Sequence, residues 1–405
     1  MAISVTHQTE AVGTPAGDGE IAAVEWNEPH VVEMATGKIL GRTSASDGAV
    51  EEITAGSGLV LSAGELAMDT HVTGRNRLIN GAMVIAQRGT SFTSATTPAN
   101  NDDAYTLDRW YILSDGNDVV DVTQETSVVP TNGYRAIALD VETVNKKFGI
   151  AQIIEQANCI GMIGGEVTLS FKAKVSATTK LDNVKAAIIA WSGTADTVTS
   201  DIISAWGAEG TAPTLIADAT YENTPANLGL TTSYATYRVT ATVDTASTKN
   251  IIVMIWSDVT DTTLGDFLYI TDVQLEVGTV VTPVFEHLRV AQDLINCQRY
   301  TYALDGNGRR MGNSFNKTTT VAEMYVIFPV TMRTGATLTA VGAGSDYAIA
   351  YLNTAQACSV VPALATSSPF GTTINLTVAS GLTAGQASNG FLNSNTGRLI
   401  LSSEL

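Results

Sequence analysis

The feature that most constrains the fold is a period-two alternation of apolar and polar side chains in EVTLSFKAKV, residues 166–175. Val167 and Phe171 share one side of an extended chain, and Lys172 and Lys174 lie on the other side. Successive side chains of a strand point to opposite faces, so this pattern is typical of an antiparallel strand with one buried face. Similar runs recur along the chain without intervening helical patterns. The sequence therefore predicts an all-β protein with a central antiparallel jelly-roll sandwich.

Strand-like runs separated by turn residues define the central region. One short helix is expected within it, at Phe148–Asn158. A second, amphipathic helix is predicted over Glu286–Tyr302, because its apolar residues recur at helical spacing. Those residues are Leu288, Ala291, Leu294 and Ile295. The strands are predicted at Val119–Thr123, Tyr134–Val141, Glu166–Val175, Val184–Trp191, Tyr234–Val243, Asn250–Trp256 and Phe267–Glu276.

These patterns divide the chain into four parts. An N-terminal segment, residues 1–75, is rich in Gly and Ser, and a turn after Ser62 predicts short hairpins that would order best against partner chains. The jelly-roll sandwich follows over residues 76–286, and the connecting helix over 287–302. A small C-terminal β domain is expected over 303–405, with strands within 322–330, 336–341, 347–352, 373–379 and 397–405.

Charge and hydropathy exclude several classes of partner. The net charge is −18, and nucleic-acid affinity comes mostly from Lys and Arg, so we expect no nucleic-acid partner. Anionic membrane surfaces are disfavoured for the same reason. The longest strongly apolar run, Ile251–Trp256, is too short to span a bilayer, so membrane insertion is not expected. The first residues lack the basic and apolar pattern of a signal peptide, which predicts synthesis in a cytoplasm without general secretion.

Cysteine spacing gives no sign of a metal site or of a disulfide framework. Cys159, Cys297 and Cys358 stand far apart, and no CxxC pair occurs. We expect three partly buried cysteines that pack as small hydrophobic side chains.

Catalytic patterns are also missing from the sequence, and we expect no enzyme. A triad of residues distant in sequence remains an open alternative. Six aspartates lie within one short stretch, and two of them could supply the carboxyl groups of a glycoside hydrolase. Their Gly and Asn neighbours, however, favour turns. The six aspartates are Asp102, Asp103, Asp108, Asp115, Asp118 and Asp121. Arg109 is expected to pair with Asp108 or another carboxylate and fix the sandwich.

Aromatic residues are the candidates for glycan binding, because flat rings stack on the apolar faces of sugars. Trp206 and Tyr221 stand in loop-like sequence, which favours exposure, and Tyr134 is the third candidate. Trp191 and Trp256 end apolar strands and are expected in the core.

Five blocks, in this order and spacing, resemble fibre proteins of tailed bacteriophages. They cover about residues 76–302. The five blocks are NRLINGAMVIAQRGTS, YTLDRW, EVTLSFKAKVS, LYITDVQLEVGTVVTPVFE and CQRYTY. The N-terminal GEIAAVEWNEPH and GKILGRTSASDGAVEEI look like particle-attachment segments. The resemblance implies a homotrimeric virion component that is made in the host cytoplasm. Its N-terminal segment would attach it to the particle by binding other tail or capsid proteins. The attachment residues implied are Trp26, Asn27, His30, Ile39 and Leu40.

The central region also resembles carbohydrate-binding jelly rolls, in which acidic groups near both ends can hold a structural calcium ion. Asn80-Gly81 and Asp272-Val273 match the two ends, whereas the acid expected soon after Gly81 is replaced by Ala82, Met83 and Val84. Calcium takes six or more oxygen ligands, so we expect no cofactor, with calcium at Asp272 and Asn80 as the alternative.

The function expected from the sequence is a structural fibre or spike protein that binds host-surface polysaccharide during adsorption. A head fibre or capsid-decorating protein without receptor role is one alternative. A depolymerase tailspike is another, although no repeat typical of a parallel β-helix is present.

Overall fold

The computed structural model describes residues 74–278 and 285–405, together with six short strands nearer the N-terminus. The chain divides into two compact units, Met1–Arg75 and Asn76–Leu405. Paired strands are antiparallel throughout the described residues, which confirms the predicted all-β class. Among those residues, no helix is long and apolar enough to cross a membrane.

The first unit contributes three pairs of short antiparallel strands. Ser62 lies opposite Glu65 in the last pair, so the hairpin predicted after Ser62 is confirmed. Strand β1 pairs with β2, β3 with β4, and β5 with β6. The strands are β1 (Val5–His7), β2 (His30–Val32), β3 (Lys38–Gly41), β4 (Glu51–Thr54), β5 (Leu59–Ser62) and β6 (Glu65–Met68).

The second unit begins with a sandwich of two antiparallel sheets, as predicted. Its strands are β7 (Ser91–Phe92), β8 (Tyr111–Ser114), β9 (Val120–Glu125), β10 (Ala136–Val141), β11 (Phe148–Ile154), β12 (Glu166–Val175), β13 (Val184–Trp191), β14 (Ile203–Ala205), β15 (Thr214–Leu215), β16 (Ala219–Tyr221), β17 (Ala235–Thr242), β18 (Asn250–Ser257) and β19 (Phe267–Val277). The six-stranded sheet has the order β17-β12-β19-β10-β9-β7, and the five-stranded sheet β16-β13-β18-β11-β8. Strands β14 and β15 form a separate pair.

The sandwich core lies between these two sheets. Val167 and Phe171 of β12 are buried in it, together with Ile251 and Ile255 of β18. Lys172, on the opposite face of β12, forms an ion pair with Asp272. The alternation in the sequence therefore reports the two faces of this strand correctly.

The helix predicted at Phe148–Asn158 is wrong. Residues Phe148–Ile154 form β11, which lies between β8 and β18 in the five-stranded sheet. Every residue of β11 is buried, so polar residues do not mark one face, and a short apolar run of this kind is ambiguous between helix and strand. Only the turn that follows is helical, as α1 (Gln156–Cys159).

The outer face of the five-stranded sheet is covered by residues of the same chain. Ile252, Met254 and Trp256 of β18 point away from the sandwich core and into a second apolar cluster. Val198 and Ile202, from the segment that carries β14–β16, complete that cluster. The five-stranded sheet is thus buried on both faces.

The connecting helix is shorter than predicted, and its buried face differs. Helix α2 spans Val290–Gln298, and it buries Asp293 and Cys297. Ile295, expected on the apolar stripe, is 46% exposed. The buried side of the helix is set by a polar contact. The Asp293 carboxylate accepts a hydrogen bond from the backbone N–H of Asn80 at 3.1 Å, so the side of the helix that carries Asp293 faces the sandwich.

The last domain contains a seven-stranded sheet and a three-stranded sheet around a separate apolar core. Their orders are β25-β24-β28-β21-β22-β27-β26 and β20-β29-β23. The predicted C-terminal β domain is confirmed in its secondary structure. The strands are β20 (Thr301–Asp305), β21 (Arg310–Asn316), β22 (Val321–Ile327), β23 (Thr337–Val341), β24 (Tyr347–Tyr351), β25 (Thr354–Ala357), β26 (Ala363–Ser368), β27 (Gly371–Thr377), β28 (Ala387–Leu392) and β29 (Arg398–Ser402).

Candidate functional site

Two of the three aromatic candidates lie in the apolar cluster outside the five-stranded sheet. Trp206 is only 9% exposed, so its expected exposure is wrong. The cause is that the segment around β14 and β15 folds back over the sheet and encloses the indole. Tyr221 is half-buried at the edge of the same cluster, and its hydroxyl donates to the Pro213 carbonyl at 2.8 Å.

Tyr134 lies apart from the other two aromatic residues, just before β10 of the six-stranded sheet. Its ring is 60% exposed, and the Arg135 guanidinium stacks over it at 4.0 Å. The structure therefore does not gather Trp206, Tyr221 and Tyr134 into one platform. Glycan binding by each of them stays a prediction.

The two ends of the jelly-roll motif do meet. The Val273 N–H donates to the Gly81 carbonyl at 2.9 Å, which places Asn80 and Asp272 in neighbouring chain segments. Their side chains, however, have other partners. The Asn80 amide bonds to both backbone groups of Ile85, and the Asp272 carboxylate lies 2.8 Å from the Lys172 ammonium group.

A calcium site would need more oxygen donors than this arrangement offers. No group of three or more His, Cys, Asp or Glu side chains that could hold a metal occurs in the described part of the chain. Calcium binding by Asp272 and Asn80 stays a prediction. Cys159, Cys297 and Cys358 are free thiols, as expected, and all three are buried more completely than predicted.

The implied attachment residues fall in the first unit. Trp26 and Asn27 lie outside the described residues. His30 begins β2, and Ile39 and Leu40 lie within β3. Ile39 is half-buried and Leu40 is exposed. Their role in attachment stays a prediction.

The aspartate-rich stretch forms turns around β8. Asp103 and Asp118 both have positive φ angles, 63° and 54°, which short polar side chains tolerate. The Asp102 carboxylate accepts a hydrogen bond from the Ser114 N–H at 2.6 Å. Burial raises the pKa of Asp103 to about 7, and the charges of Asp102 and Asp201 add to the effect. Asp103 can therefore carry a proton near neutral pH.

A buried charge cluster joins the sandwich to the last domain. Glu404, which follows β29, accepts hydrogen bonds from Arg109 and, at 3.0 Å, from Arg88. The Thr301 hydroxyl donates to the same carboxylate at 3.1 Å. Burial raises the pKa of Glu404, but the Arg109 and Arg88 charges and the hydrogen bonds from Arg88 and Thr301 together lower it by more, so that its pKa lies below the ordinary value. Arg109 has the structural role that was predicted, with a partner from another domain.

A second set of contacts supports the same junction. Glu155, next to β11, binds the Arg299 guanidinium at 2.6 Å and accepts a hydrogen bond from the Tyr300 hydroxyl at 2.8 Å. Arg109 lies over the Tyr300 ring at 3.7 Å. The Tyr105 hydroxyl donates to the Leu405 carbonyl at 2.7 Å. Sandwich and last domain are thus tied by charged, aromatic and backbone groups.

The outer surface of the seven-stranded sheet is the site that sequence reasoning missed. We call it the open face and define it by five residues of β21, β22 and β27, namely Asn313, Phe315, Glu323, Tyr325 and Thr373. With Ser314 they line a depression of about 190 Å³. Phe315 and Tyr325 are 49% and 51% exposed. Alternation in VAEMYVI, with Met324 buried beside Tyr325, was the signal that could have located it.

Comparisons with known proteins yield distant structural likenesses. No protein-family model matches the chain, and no curated protein matches its sequence. The fold is similar to the enzymatically active domain of tailspike protein 4 of bacteriophage CBA120, with 15% identity over 50% of this chain and 21% of that chain and a TM-score of 0.29. It is similar to the N-terminal endo-1,4-β-D-xylanase 10B of Clostridium thermocellum complexed with xylohexaose, with 14% identity over 50% and 30% and a TM-score of 0.28.

A family 30 carbohydrate-binding module is a third likeness, with 10% identity over 51% of this chain and 90% of that chain and a TM-score of 0.27. This chain thus spans less than a third of the tailspike and xylanase chains. At such TM-scores the fold assignment depends on the strand orders and registers described above.

Proposed function

We propose that this protein is a structural fibre or spike component of a bacteriophage particle that binds host-surface glycans without cleaving them. The observation that carries the proposal is the junction at Glu404. Arg88 and Arg109 hold that carboxylate in a buried position, which couples two β domains into one unit. Two β domains joined through a buried charge cluster suit a part that projects from a particle.

The sequence supports the same proposal independently. The five blocks over about residues 76–302 resemble fibre proteins of tailed bacteriophages, and charged residues make up only 15% of the chain. Attachment through the N-terminal segment and assembly into a homotrimer belong to the proposal. Tail and head locations on the virion are both compatible with it.

Immunogold labelling of purified particles with an antibody raised against the full chain tests the location. We expect gold at one structural position, and its place separates a tail fibre from a head fibre. Antibody absorbed with the purified chain is the control. Particles that lack the label, while the chain is abundant in the soluble lysate, would rule out a virion component.

A depolymerase is the second candidate function, and the Asp103 carboxyl is the observation that favours it. A pKa of about 7 beside Asp102 is compatible with a general acid in glycoside cleavage. Release of reducing ends from host capsular polysaccharide is the test. Reducing ends formed by the native chain and lost in Asp103→Asn would replace the binding proposal by an enzymatic one.

A further inference from the structure

Three strands of the last domain present a surface of exposed aromatic, amide and hydroxyl groups. We infer that this surface, the open face, binds a neutral oligosaccharide. The inference rests on the proposed function and assigns the glycan binding to one site.

The aromatic part of the open face has a defined spacing. Phe315 of β21 lies directly opposite Glu323 of β22, so Tyr325, two residues further along, is its diagonal neighbour. Diagonal pairs in an antiparallel sheet lie roughly 7–8 Å apart, within reach of one another's side chains. Two half-exposed rings at this spacing offer adjoining flat surfaces to the apolar faces of successive sugar rings.

The polar part supplies the hydrogen-bonding groups that sugar hydroxyls need. Asn313 and Thr373 line the depression beside the two rings. An amide group offers both donors and an acceptor, and a hydroxyl group can donate and accept. Sugar hydroxyls can therefore form hydrogen bonds with both of these side chains.

The charge of the open face favours a neutral ligand. Glu323 is the one ionisable acid among the residues that line the depression, and Lys317 pairs with it at 3.0 Å. The chain as a whole has a net charge of −18, which repels polyanions at long range. An acidic polysaccharide would thus meet neither a cationic groove nor a favourable field.

A second copy of this chain is the other occupant that an exposed sheet face suggests. Stable interfaces bury about 800 Å² per partner around an apolar centre depleted in charge. The open face instead carries the Glu323 carboxylate and the Asn313 amide among its lining groups. An apolar partner surface would remove water from both groups without replacing its hydrogen bonds, whereas sugar hydroxyls could replace them.

The test uses the full chain on an array of neutral and acidic oligosaccharides, followed by titration calorimetry with each glycan that binds. We compare Phe315→Ala and Tyr325→Ala with Tyr134→Ala, which tests the alternative glycan-binding residue, and with the matched control Leu264→Ala, which removes an exposed apolar side chain from the sandwich. Thermal unfolding and sedimentation are measured on every variant. We expect a neutral glycan to bind, and roughly tenfold weaker binding for each open-face variant with the control unchanged.

Different results separate failure of the site from failure of the function. Binding that is lost in Tyr134→Ala and kept in both open-face variants would leave the proposed function in place and overturn the site. A native chain that binds no glycan on the array would overturn both. Phe315→Ala or Tyr325→Ala proteins that dissociate from oligomers into monomers would identify the open face as a contact between copies.

Discussion

Glu404 and Arg109 form a buried ion pair although 295 positions separate them in sequence. The Glu404 side chain is 6% exposed and the Arg109 side chain 1% exposed, so water cannot replace the missing partner if either is removed. Glu404→Gln keeps the shape of the side chain and leaves Arg109 buried without its paired anion. We expect a loss of about 3–5 kcal/mol in the free energy of unfolding, measured by urea denaturation.

A matched control for this change is Asp261→Asn, which breaks the exposed pair of Lys180 and Asp261. Exposed pairs contribute at most about 1 kcal/mol, so this variant should unfold close to the native chain. Equal losses in the two variants would mean that the junction is not held by the Glu404 charge. Because the pKa of Glu404 is lowered by folding, its contribution is present above the ordinary glutamate pKa and is lost as pH falls through the lowered value.

The raised pKa of Asp103 predicts the opposite pH dependence. Folding raises this pKa from 3.8 to about 7, so the folded chain binds more protons than the unfolded chain between these values. The free energy of unfolding should therefore fall as pH rises through that window, because ionised Asp103 is disfavoured in the fold. The side chain is half-buried, and screening by the remaining solvent reduces the effect to about 1 kcal/mol. Asp103→Asn should be more stable than the native chain above about pH 7 and equal to it at pH values below 3.8, where Asp103 is protonated in both states. A gain that is the same at both pH values would contradict the assignment.

Gly81 is held against the middle of strand β19, at Val273. A Cβ at Gly81 would collide with the Val273 carbonyl oxygen, which is backbone and cannot swing away. Gly81→Ala should cost about 3 kcal/mol in thermal or urea unfolding. Gly161→Ala is the control, because the nearest atom to its new Cβ is the Arg77 guanidinium at 3.9 Å. That variant should change stability by less than about 1 kcal/mol. A tolerated Gly81→Ala would show that the two segments are not in contact.

Chelation of divalent ions should leave the melting temperature unchanged. The Asp272 carboxylate is paired with Lys172, and the Asn80 amide is bonded to Ile85, so the two side chains are not free to bind an ion. Calorimetry in calcium chloride and in excess EDTA makes the comparison. A fall of several degrees in EDTA that calcium restores and magnesium does not would establish the calcium site instead.

Local patterns in the sequence account for most strands. Val184–Trp191 and Glu166–Val175 are found with the predicted bounds, since each strand carries its own signal of alternation or β-branched residues. The error at Phe148–Ile154 arose because both of its faces are covered and no polar residue marks an exposed side. Trp206 was misplaced for a related reason: a neighbouring loop covers the sheet, and that loop has no periodic pattern.

The candidate site was less accessible to sequence reasoning. Alternation shows that Tyr325 and Met324 point to opposite faces of β22, but it does not tell which face is left uncovered. The partner of Arg109 could not be named, because nothing near LDRW indicates a carboxylate close to residue 404. Both features depend on how separate segments pack together.

Strand β29 lies between β20 and β23 in the three-stranded sheet. The middle strand of that sheet is thus made after both of its neighbours, and Glu404 follows it. During translation, β20 and β23 have no pairing partner until β29 is made, whereas all strands of the sandwich are already present. We expect the sandwich to form first, and the last domain to close around β29 in a final cooperative step that also engages Arg88 and Arg109.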